Sequence, residues 1–492
     1  MKPKYYITTP IYYVNDIPHI GHSYTTIAAD ILARWKKLQG YDVYFLTGTD
    51  EHGMKIAISA ANGGITPKEH VDKVVTRFKD AWTKLNIQND GFIRTTDDIH
   101  KLTVQKIFNQ LHDNGDIYKG QYEGSYCAPC ESYWTDFQLN GSDKCPDCAR
   151  PVTKVIEEAY FFAISKYQDR LLKYINDNPD FIKPVSRRNE IVNFIESGLK
   201  DLNVSRTNFT WGIQAPFDAK HIIYVWFDAL INYVSAIGYA NDSEEFKKYW
   251  PADVHLMGKE IVRFHAVIWP AILMALDLPL PKKVFGHGWW TVEGEKMSKT
   301  TGNVVDPIAL SEEFGIDTVR YFLMREVPFG SDGDFSKANL IKRFNSDLAN
   351  DLGNLLSRTL TMIEKYYSGI VPEFKKIELT DIDQKIMALI VDTPKTYSNC
   401  MDNIQITDAI ACVWELISYS NFYIENKAPW KLAKENKTDE LAVVLFNLYE
   451  ALKVVSNLIA PIMPQTSDAI KVQLGTDGKI QKGSPLFPRI QN

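Results

Sequence analysis

Two histidines near the start of the chain, His19 and His22, have the spacing and the setting of a phosphate-binding group. They follow the strand-like run at residues 5–8 and precede apolar residues with helical spacing, so they are expected at a helix N-terminus. Unpaired N–H groups and the positive end of the helix dipole collect there. Gly21 leaves room for a nucleotide to approach the backbone. Alone, such a histidine pair is more often a surface or metal-binding pair, so a second signal is needed.

Two lysines in the middle of the chain supply that second signal. Lys296 and Lys299 enclose a Met-Ser pair and follow the turn-forming residues 293–295, which places them on a loop. Two lysines at this spacing usually form a solvated face. Combined with the histidines, however, they would add positive charge where a phosphate leaves, because charge that develops in a transition state is stabilised by oriented donors and cations. The two segments together therefore predict chemistry on ATP.

Four of the six cysteines form two Cys-x-x-Cys pairs separated by a turn-rich stretch: Cys127, Cys130, Cys145 and Cys148. This spacing is typical of a tetrathiolate zinc site. The alternative is a pair of disulfides, which a reducing compartment disfavours. Four thiolates leave no open coordination position, so we predict one structural Zn²⁺ per chain. The other two cysteines lie among helical patterns and are assigned no chemistry.

The length and composition of the chain exclude several classes of protein. A length of 492 residues suggests two to four domains, and the apolar content of 45% is ordinary for globular proteins. The chain has no run of about eighteen apolar residues and begins almost directly with a strand-like segment, so neither a membrane span nor a signal peptide is expected. We therefore predict a cytoplasmic protein. The net charge of −6 disfavours a generally basic nucleic-acid binder but leaves a local basic face possible.

The pattern along the chain predicts an α/β fold followed by an all-α region. Strand-like and helix-like segments alternate at the start, which indicates a Rossmann-type nucleotide-binding parallel sheet. An inserted segment carries the cysteines as a zinc knuckle, and the final third has helical spacing typical of a helix bundle. The predicted domains are the first Rossmann half at 1–113, an inserted connective domain at 114–213, the second Rossmann half at 214–290, a loop region with the lysines at 291–340, and a helical domain at 341–492.

The order of strand, His-Ile-Gly-His, helix, long insertion and Lys-Met-Ser-Lys resembles the two signatures of class I aminoacyl-tRNA synthetases. The resemblance departs only at Thr300, where these enzymes commonly have serine. It implies that an amino acid is activated by ATP with Mg²⁺ and is then transferred to tRNA. It also implies catalytic roles for His19, His22, Lys296 and Lys299, and ATP binding by His19, Gly21, His22, Glu260 and Lys299.

Further segments resemble the methionine-specific members of these synthetases, and the resemblance extends over essentially the whole chain. They comprise residues 10–22, 48–53, 224–229, 258–265 and 426–430. The methionine side chain is apolar with a polarizable sulfur, so its pocket needs aromatic walls and a few weak polar contacts. The resemblance implies a methionine-binding set of Ile11, Tyr13, Asp50, Trp226, Ala229, Leu230, Tyr233, Ile261 and His265.

Particular roles within this set follow from the same resemblance. Asp50 would pair with the ammonium group of the amino acid, and the Tyr233 hydroxyl and the Ile11 main chain would contact the sulfur. Core packing is the alternative for Trp226, and a helix cap or turn is the alternative for Asp50. Leu230 replaces a proline found in some members, which matters little for an apolar contact.

The helical C-terminal region is expected to recognise the tRNA. Single-stranded bases are recognised by stacking on aromatic side chains and by hydrogen bonds to base edges. The resemblance assigns Trp430, which follows Pro429, to stacking on the CAU anticodon of methionine tRNAs. Asn350, Asn354 and Arg358 share one helix face and would contact base edges. Without the resemblance, this row would be interpreted as a solvated helix face.

Two other functions remain as alternatives. One is a class I synthetase for another apolar or sulfur-containing amino acid, such as leucine or cysteine, although the insertion is short for an editing domain. The other is a tRNA-binding relative that has lost catalysis, which the intact histidines and lysines disfavour. The short segment after the last helical pattern leaves no room for a dimerising module, so we expect a monomer that binds tRNA, ATP and L-methionine and no membrane.

Overall fold

The structure is a computed structural model that describes residues 2–14, 18–130, 132–134, 139, 141–207, 209–296 and 304–490. The chain forms two compact units, Met1–His287 and Gly288–Asn492. The first unit contains the large sheet and the inserted segment, and the second contains a small sheet and most of the long helices.

The strands in the described part of the chain are β1 (Lys4–Tyr13), β2 (Asp42–Asp50), β3 (Gly91–Arg94), β4 (Ile117–Cys127), β5 (Ser132–Trp134), β6 (Thr153–Phe162), β7 (Ile182–Lys183), β8 (Leu202–Asn203), β9 (Ser205–Arg206), β10 (Gln214–Ala215), β11 (Asp218–Ile223), β12 (Val254–Gly258), β13 (Val284–His287), β14 (Trp290–Val292), β15 (Glu295–Lys296) and β16 (Gly333–Phe335).

The α-helices of the first unit are α1 (Ile20–Leu38), α2 (Met54–Asn62), α3 (Pro67–Lys84), α4 (Asp98–Asp113), α5 (Gln168–Asp177), α6 (Val185–Glu196), α7 (Val225–Leu230), α8 (Asn232–Ser235), α9 (Glu244–Tyr249) and α10 (Trp269–Ala275). Those of the second unit are α11 (Pro307–Phe314), α12 (Ile316–Arg325), α13 (Lys337–Arg343), α14 (Asn354–Tyr367), α15 (Asp381–Asp402), α16 (Ile406–Lys427), α17 (Pro429–Lys434), α18 (Thr438–Ile459) and α19 (Pro464–Leu474). Two π-helical segments, Phe264–Ile268 and Phe344–Gly353, precede α10 and α14.

The six-stranded sheet of the first unit has the order β3-β2-β1-β12-β13-β7, and its neighbouring strands are parallel. The chain moves outward from β1 in one direction through β2 and β3, and in the other through β12 and β13. This reversal between β1 and β12 is a topological switch point, where a ligand crevice opens at the carboxyl ends of the strands. The predicted parallel α/β sheet is confirmed.

The central strands are longer than their apolar runs predict. The sequence pattern indicates strands at residues 5–8 and 42–46, whereas β1 extends to Tyr13 and β2 to Asp50. The added residues include threonines that are buried because their hydroxyls are paired: Thr9 Oγ1 donates to Thr47 Oγ1 at 2.8 Å. Polar residues can therefore continue a buried strand that hydropathy alone would end.

The segment 285–291, which the sequence pattern predicts as one strand, is divided between two sheets. Its first part is β13 of the large sheet and its last part is β14, which pairs with β15 and β16. The change occurs at Gly288, where an added Cβ would lie 2.3 Å from the Ser331 backbone. Only glycine allows that approach.

The inserted segment is built on a long antiparallel pair. β4 and β6 pair from Ile117 opposite Phe162 to Tyr126 opposite Thr153, and β5 and β8 extend this sheet on either side. Cys127 is the last residue of β4, so the cysteine motif lies at the end of the hairpin.

The second unit is dominated by helices that bury apolar faces against one another, as the sequence predicts. Helix α18 is long and apolar enough to cross a membrane, but 72% of its most apolar window is buried inside the protein. A buried helix of this composition is what the centre of a helical bundle requires.

Candidate active site and metal cluster

His19 and His22 interlock at the N-terminus of α1. His19 is the N-cap residue, and its Nδ1 accepts a hydrogen bond from the Gly21 N–H at 3.1 Å. His22 Nδ1 accepts one from the His19 N–H at 3.2 Å, and the two rings stack with centroids 3.9 Å apart. This is a capping box built from histidines. Because each Nδ1 is an acceptor, the proton of each neutral ring is on Nε2.

The environment keeps both imidazoles neutral. Burial lowers the pKa of His19, and the negative charge of Glu260 opposes this effect only in part. Burial, together with the charge that His19 would carry, lowers the pKa of His22 well below its ordinary value of 6.5. At neutral pH the pair is therefore suited to donate hydrogen bonds through Nε2–H rather than to act as cations. The charge of Glu260, which follows β12, is thus close enough to affect His19.

The carboxyl ends of β1 and β2 bring together the first group of predicted pocket residues. Tyr13 is the register partner of Asp50, and Ile11 is the partner of Gly48. An added Cβ at Gly48 would lie 2.1 Å from the Ile93 carbonyl oxygen and 3.0 Å from Ile11 Cγ2, so only glycine allows the strands to approach there. Asp50 is buried at the end of β2, at the edge of the sheet where the crevice opens.

A buried ion pair supports the strand end that carries Asp50. Glu51 is fully buried and accepts hydrogen bonds from Arg94 Nε at 2.7 Å and from the Thr49 hydroxyl at 2.7 Å. Arg94 also bonds Asp72 at 2.6 Å. A buried carboxylate paired in this way fixes the backbone around it. The sequence pattern indicates no role for Glu51 or Arg94.

Tyr233 and His265 form a hydrogen-bonded pair with a defined proton arrangement. His265 Nδ1 lies 2.9 Å from the Ile261 carbonyl oxygen, which can only accept, so this nitrogen carries the proton. His265 Nε2 therefore accepts from the Tyr233 hydroxyl at 2.7 Å. Burial lowers the pKa of His265 to about 4, which keeps the ring neutral. The Tyr233 hydroxyl is thus oriented by its partner.

The remaining predicted pocket residues lie on α7 and beside it. Trp226 is partly exposed and stacks on Phe264 with ring centroids 3.8 Å apart and an interplanar angle of 12°. Its exposure disfavours simple core packing. Ala229 and Leu230 are buried on the same helix, and Leu230 belongs to the apolar core that also contains Tyr233. Asp228, between these residues, was not assigned a role from the sequence.

The lysine loop lies mostly outside the described residues. Of Lys296 the structure describes the backbone, as part of β15. Lys299 lies outside the described residues, so the roles of both lysines stay predictions from the sequence.

The four predicted cysteine ligands converge on one point. Their Sγ atoms all lie within 4.8 Å of one another. Cys127 Sγ is 3.5 Å from Cys148 Sγ, and Cys145 Sγ is 3.7 Å from Cys130 Sγ. A tetrahedral ion with Zn–S bonds of about 2.3 Å requires sulfur atoms about 3.8 Å apart. The residues therefore fit a metal such as zinc.

Replacing Cys145 by serine should release the metal from this cluster. A weaker oxygen ligand would replace a thiolate, and the insertion should lose stability because metal binding supports its fold. Elemental analysis should give about one zinc per chain for the unchanged protein and much less for the variant. Cys400→Ser is the matched control, because Cys400 lies in α15, outside the cluster. An unchanged protein that contains no zinc would contradict the assignment.

The residues predicted for tRNA recognition lie close together in the second unit. Asn350, in a π-helical segment, and Asn354, at the start of α14, line a cleft of about 470 Å³. Arg358 Nη1 bonds Glu425 Oε1 at 2.7 Å, and its guanidinium lies 5.9 Å from the centre of the Trp430 ring. Trp430 is 42% exposed and follows Pro429, the first residue of α17. An exposed aromatic ring beside a guanidinium is a surface on which a base can stack.

Comparisons with known proteins show the family of this chain. Residues 5–360 match the family model described as tRNA synthetases class I (M), and residues 383–488 match the anticodon-binding domain of tRNA ligase. A methionine–tRNA ligase of Caldanaerobacter subterraneus is 56% identical over all of this chain and 79% of its own length. The chain belongs to the methionyl-tRNA synthetase family. Its activity is that of a methionine–tRNA ligase, and the leucine and cysteine alternatives are not supported.

Other relatives agree with this membership. The methionine–tRNA ligase of Clostridium acetobutylicum is 53% identical over 99% of this chain and 78% of its own length. Among solved structures, methionyl-tRNA synthetase of Mycobacterium tuberculosis in complex with methionyl-adenylate matches with a TM-score of 0.95 and 41% identity, over 99% of this chain and 100% of that one. The predicted α/β fold and ligase activity are thus confirmed at the level of the family.

Proposed function

We propose that the crevice at the switch point of the large sheet is where methionine reacts with ATP to form methionyl-adenylate and pyrophosphate. Methionine is then transferred to the 3′ end of its tRNA. The observation that carries this proposal is that one unit holds two neutral capping histidines directly after β1, a buried carboxylate, Asp50, at the end of the neighbouring β2, and the buried Tyr233–His265 pair. Adenylation needs both parts, because the carboxylate of the amino acid must be held against the α-phosphate.

The ammonium group and the side chain of methionine are bound by different residues of the pocket. Asp50 pairs with the ammonium group, while Trp226 covers the side chain. The Tyr233 hydroxyl contacts the sulfur through its oxygen, since its proton is donated to His265. The Ile11 main chain supplies a second contact to the sulfur, and the remaining apolar contacts come from Tyr13, Ala229, Leu230 and Ile261. A side chain without sulfur would lose the polar contacts, which favours methionine.

The histidines stabilise charge that develops on the α-phosphate. His19 and His22 each donate through Nε2–H, and their neutral state leaves Nδ1 able to accept the capping hydrogen bonds. The N–H groups at the start of α1 add to the same field. Gly21 makes room for the adenosine, and Glu260 accepts from the ribose hydroxyls. Mg²⁺ bound to ATP would supply further neutralisation of the phosphate charge.

The two lysines act on the leaving group. Lys296 and Lys299, on a loop beyond the capping histidines in sequence, would contact the β- and γ-phosphates as pyrophosphate departs. No side chain becomes covalently modified, so catalysis is by positioning and electrostatics. The four cysteines would hold Zn²⁺ in a structural role, because four thiolate ligands would leave no position for a substrate.

The test of this proposal is ATP–pyrophosphate exchange with each amino acid in turn. We expect exchange with methionine alone. Exchange with cysteine or leucine would assign the pocket to another substrate, and no exchange with any amino acid would indicate an inactive relative. Gel filtration of the same preparation would test the predicted monomer, and cell fractionation would test the predicted cytoplasmic location.

Recognition of the CAU anticodon is assigned to Trp430, Pro429, Asn350, Asn354 and Arg358. The stack on Trp430 is worth about 1–3 kcal/mol by comparison with other single-stranded recognition. Trp430→Ala should therefore slow aminoacylation of methionine tRNA by about ten- to a hundredfold. Pyrophosphate exchange should stay near normal, because that assay contains no anticodon.

A matched variant separates stacking from packing at this position. Trp430→Phe keeps an aromatic face and should retain most of the aminoacylation rate. If the alanine variant lost exchange and aminoacylation together, Trp430 would be a structural residue of the bundle and the anticodon assignment would be wrong.

A further inference from the structure

A fully buried carboxylate lies between the pocket residues of α7. Asp228 has 0% exposure and is flanked in sequence by Phe227 and Ala229. Its Oδ2 lies 2.7 Å from His52 Nδ1, and its Oδ1 lies 2.7 Å from His100 Nε2. Both carboxylate oxygens are therefore used, one on each imidazole. Neither the capping histidines nor the ATP contacts require this arrangement.

The two histidines come from different elements on either side of Asp228. His52 lies two residues beyond Asp50, immediately after β2, whereas His100 lies in α4. His100 Nδ1 is also 2.8 Å from the Ser235 hydroxyl, which is on α8 beside Tyr233. The carboxylate thus links the segment that carries Asp50, the helix that carries Trp226 and a supporting helix behind them.

Trp211, from the inserted segment, contacts His52 and the residues on both sides of it. Its Nε1–H donates to the Glu51 carbonyl oxygen at 2.6 Å, and its own carbonyl oxygen accepts from the Gly53 N–H at 3.1 Å. Its ring also meets the His52 ring edge to face, with centroids 5.6 Å apart. The backbone groups on both sides of His52 are therefore hydrogen-bonded, and its ring packs against Trp211. A shift of Asp228 would move His52 and, with it, the neighbouring Asp50.

The negative charge of Asp228 strengthens its hydrogen bonds to His52 and His100. Burial alone would raise its pKa, but the charges and hydrogen bonds of His52 and His100 outweigh this effect and lower the pKa. An ionised carboxylate only accepts hydrogen bonds, so each histidine donates to it. Such charge-assisted bonds in a buried site are short and directional.

We propose that Asp228 is a positioning residue for methionine binding: through His52 and His100 it sets the distance between the Trp226 wall and the Asp50 carboxylate. This inference rests on the pocket assigned under the proposed function. Asp228 itself is buried and does not contact the substrate. Its loss should therefore weaken methionine binding more than ATP binding, because the histidines of α1 are placed by their own capping bonds.

Asp228→Asn tests this role with almost no change in volume. Asparagine has one acceptor oxygen, so it cannot accept from both histidines. In pyrophosphate exchange, KM for methionine should rise by about tenfold or more, while KM for ATP should change by less than about threefold. Asp30→Asn is the matched control, because Asp30 is equally buried in the same unit and bonds Arg34 at 2.7 Å. It should lower thermal stability and leave KM for methionine unchanged.

A second pair of variants covers the case in which Asp228→Asn does not fold. His52→Gln alters the hydrogen bond that links Asp228 to the segment carrying Asp50. It should reproduce the selective rise in KM for methionine. His100→Gln should give a smaller rise of the same kind. If these variants and Asp228→Asn instead raised both KM values equally, or matched Asp30→Asn, Asp228 would be a structural residue only.

Pyrophosphate exchange by the unchanged protein tests the proposed function separately from this inference. If it shows no methionine-dependent exchange, the proposed function fails before any variant is compared. If it exchanges normally and the variants show no selective effect on methionine, only the positioning role is overturned.

Discussion

Replacing His19 by alanine should lower the rate constant of methionine-dependent pyrophosphate exchange by about a hundred- to a thousandfold, the usual effect of removing one donor that stabilises developing charge. The reason is the proton arrangement of the capping box. His19 Nδ1 is committed to the Gly21 N–H, so the Nε2–H is directed away from the helix backbone and is available to the α-phosphate. KM for methionine should change little, because the proposed contacts to that substrate come from Asp50 and Tyr233.

The same substitution also removes a helix cap, which costs about 0.5–2 kcal/mol of stability. His19→Asn separates the two effects. Asparagine is a good N-cap residue and can accept from the Gly21 N–H, but it is too short to donate where Nε2 does. We expect this variant to unfold near the temperature of the unchanged protein and still to lose exchange. Normal exchange in His19→Asn would reduce the role of His19 to capping.

Replacing Lys299 by alanine should lower the same rate constant by about a hundredfold or more, because its charge acts when pyrophosphate departs. The equilibrium binding of methionine, measured in the absence of ATP, should remain unchanged. Lys299→Arg keeps the charge on a different geometry and should recover part of the rate. Exchange that is unaffected by Lys299→Ala would remove this lysine from the mechanism.

The histidine pair and the cysteine cluster could be predicted from the sequence because their geometry is local. His19 and His22 are three residues apart at a helix start, so the helix itself brings their rings within 3.9 Å. Each Cys-x-x-Cys pair likewise converges within one turn, and the hairpin of β4 and β6 then brings the pairs together. Spacing along the chain sets the contacts within each pair, and a single hairpin is enough to join the two cysteine pairs.

The proposed methionine pocket is different, because its residues come from distant parts of the chain. The resemblance to known synthetases names Asp50, Trp226 and Tyr233, but periodicity alone does not place them together. Strand β1 pairs with β2, which ends at Asp50, and the hydroxyl of Tyr6 in β1 donates to the Tyr233 carbonyl oxygen. Pairing order depends on the packing of the whole unit, which periods of 2 and 3.6 residues do not encode.

The hydrogen bonds between distant side chains of the site were decided by the tertiary structure. Nothing in the sequence indicates that the Tyr233 hydroxyl donates to His265 Nε2. Nor does it indicate that Asp228 accepts from His52 and from His100, which are 176 and 128 residues away in sequence. The sequence by itself determined which groups can do chemistry and where a helix start or a tight turn holds them. Only the packed structure decided the distances and hydrogen bonds between distant side chains, because the way the elements pack against one another sets both.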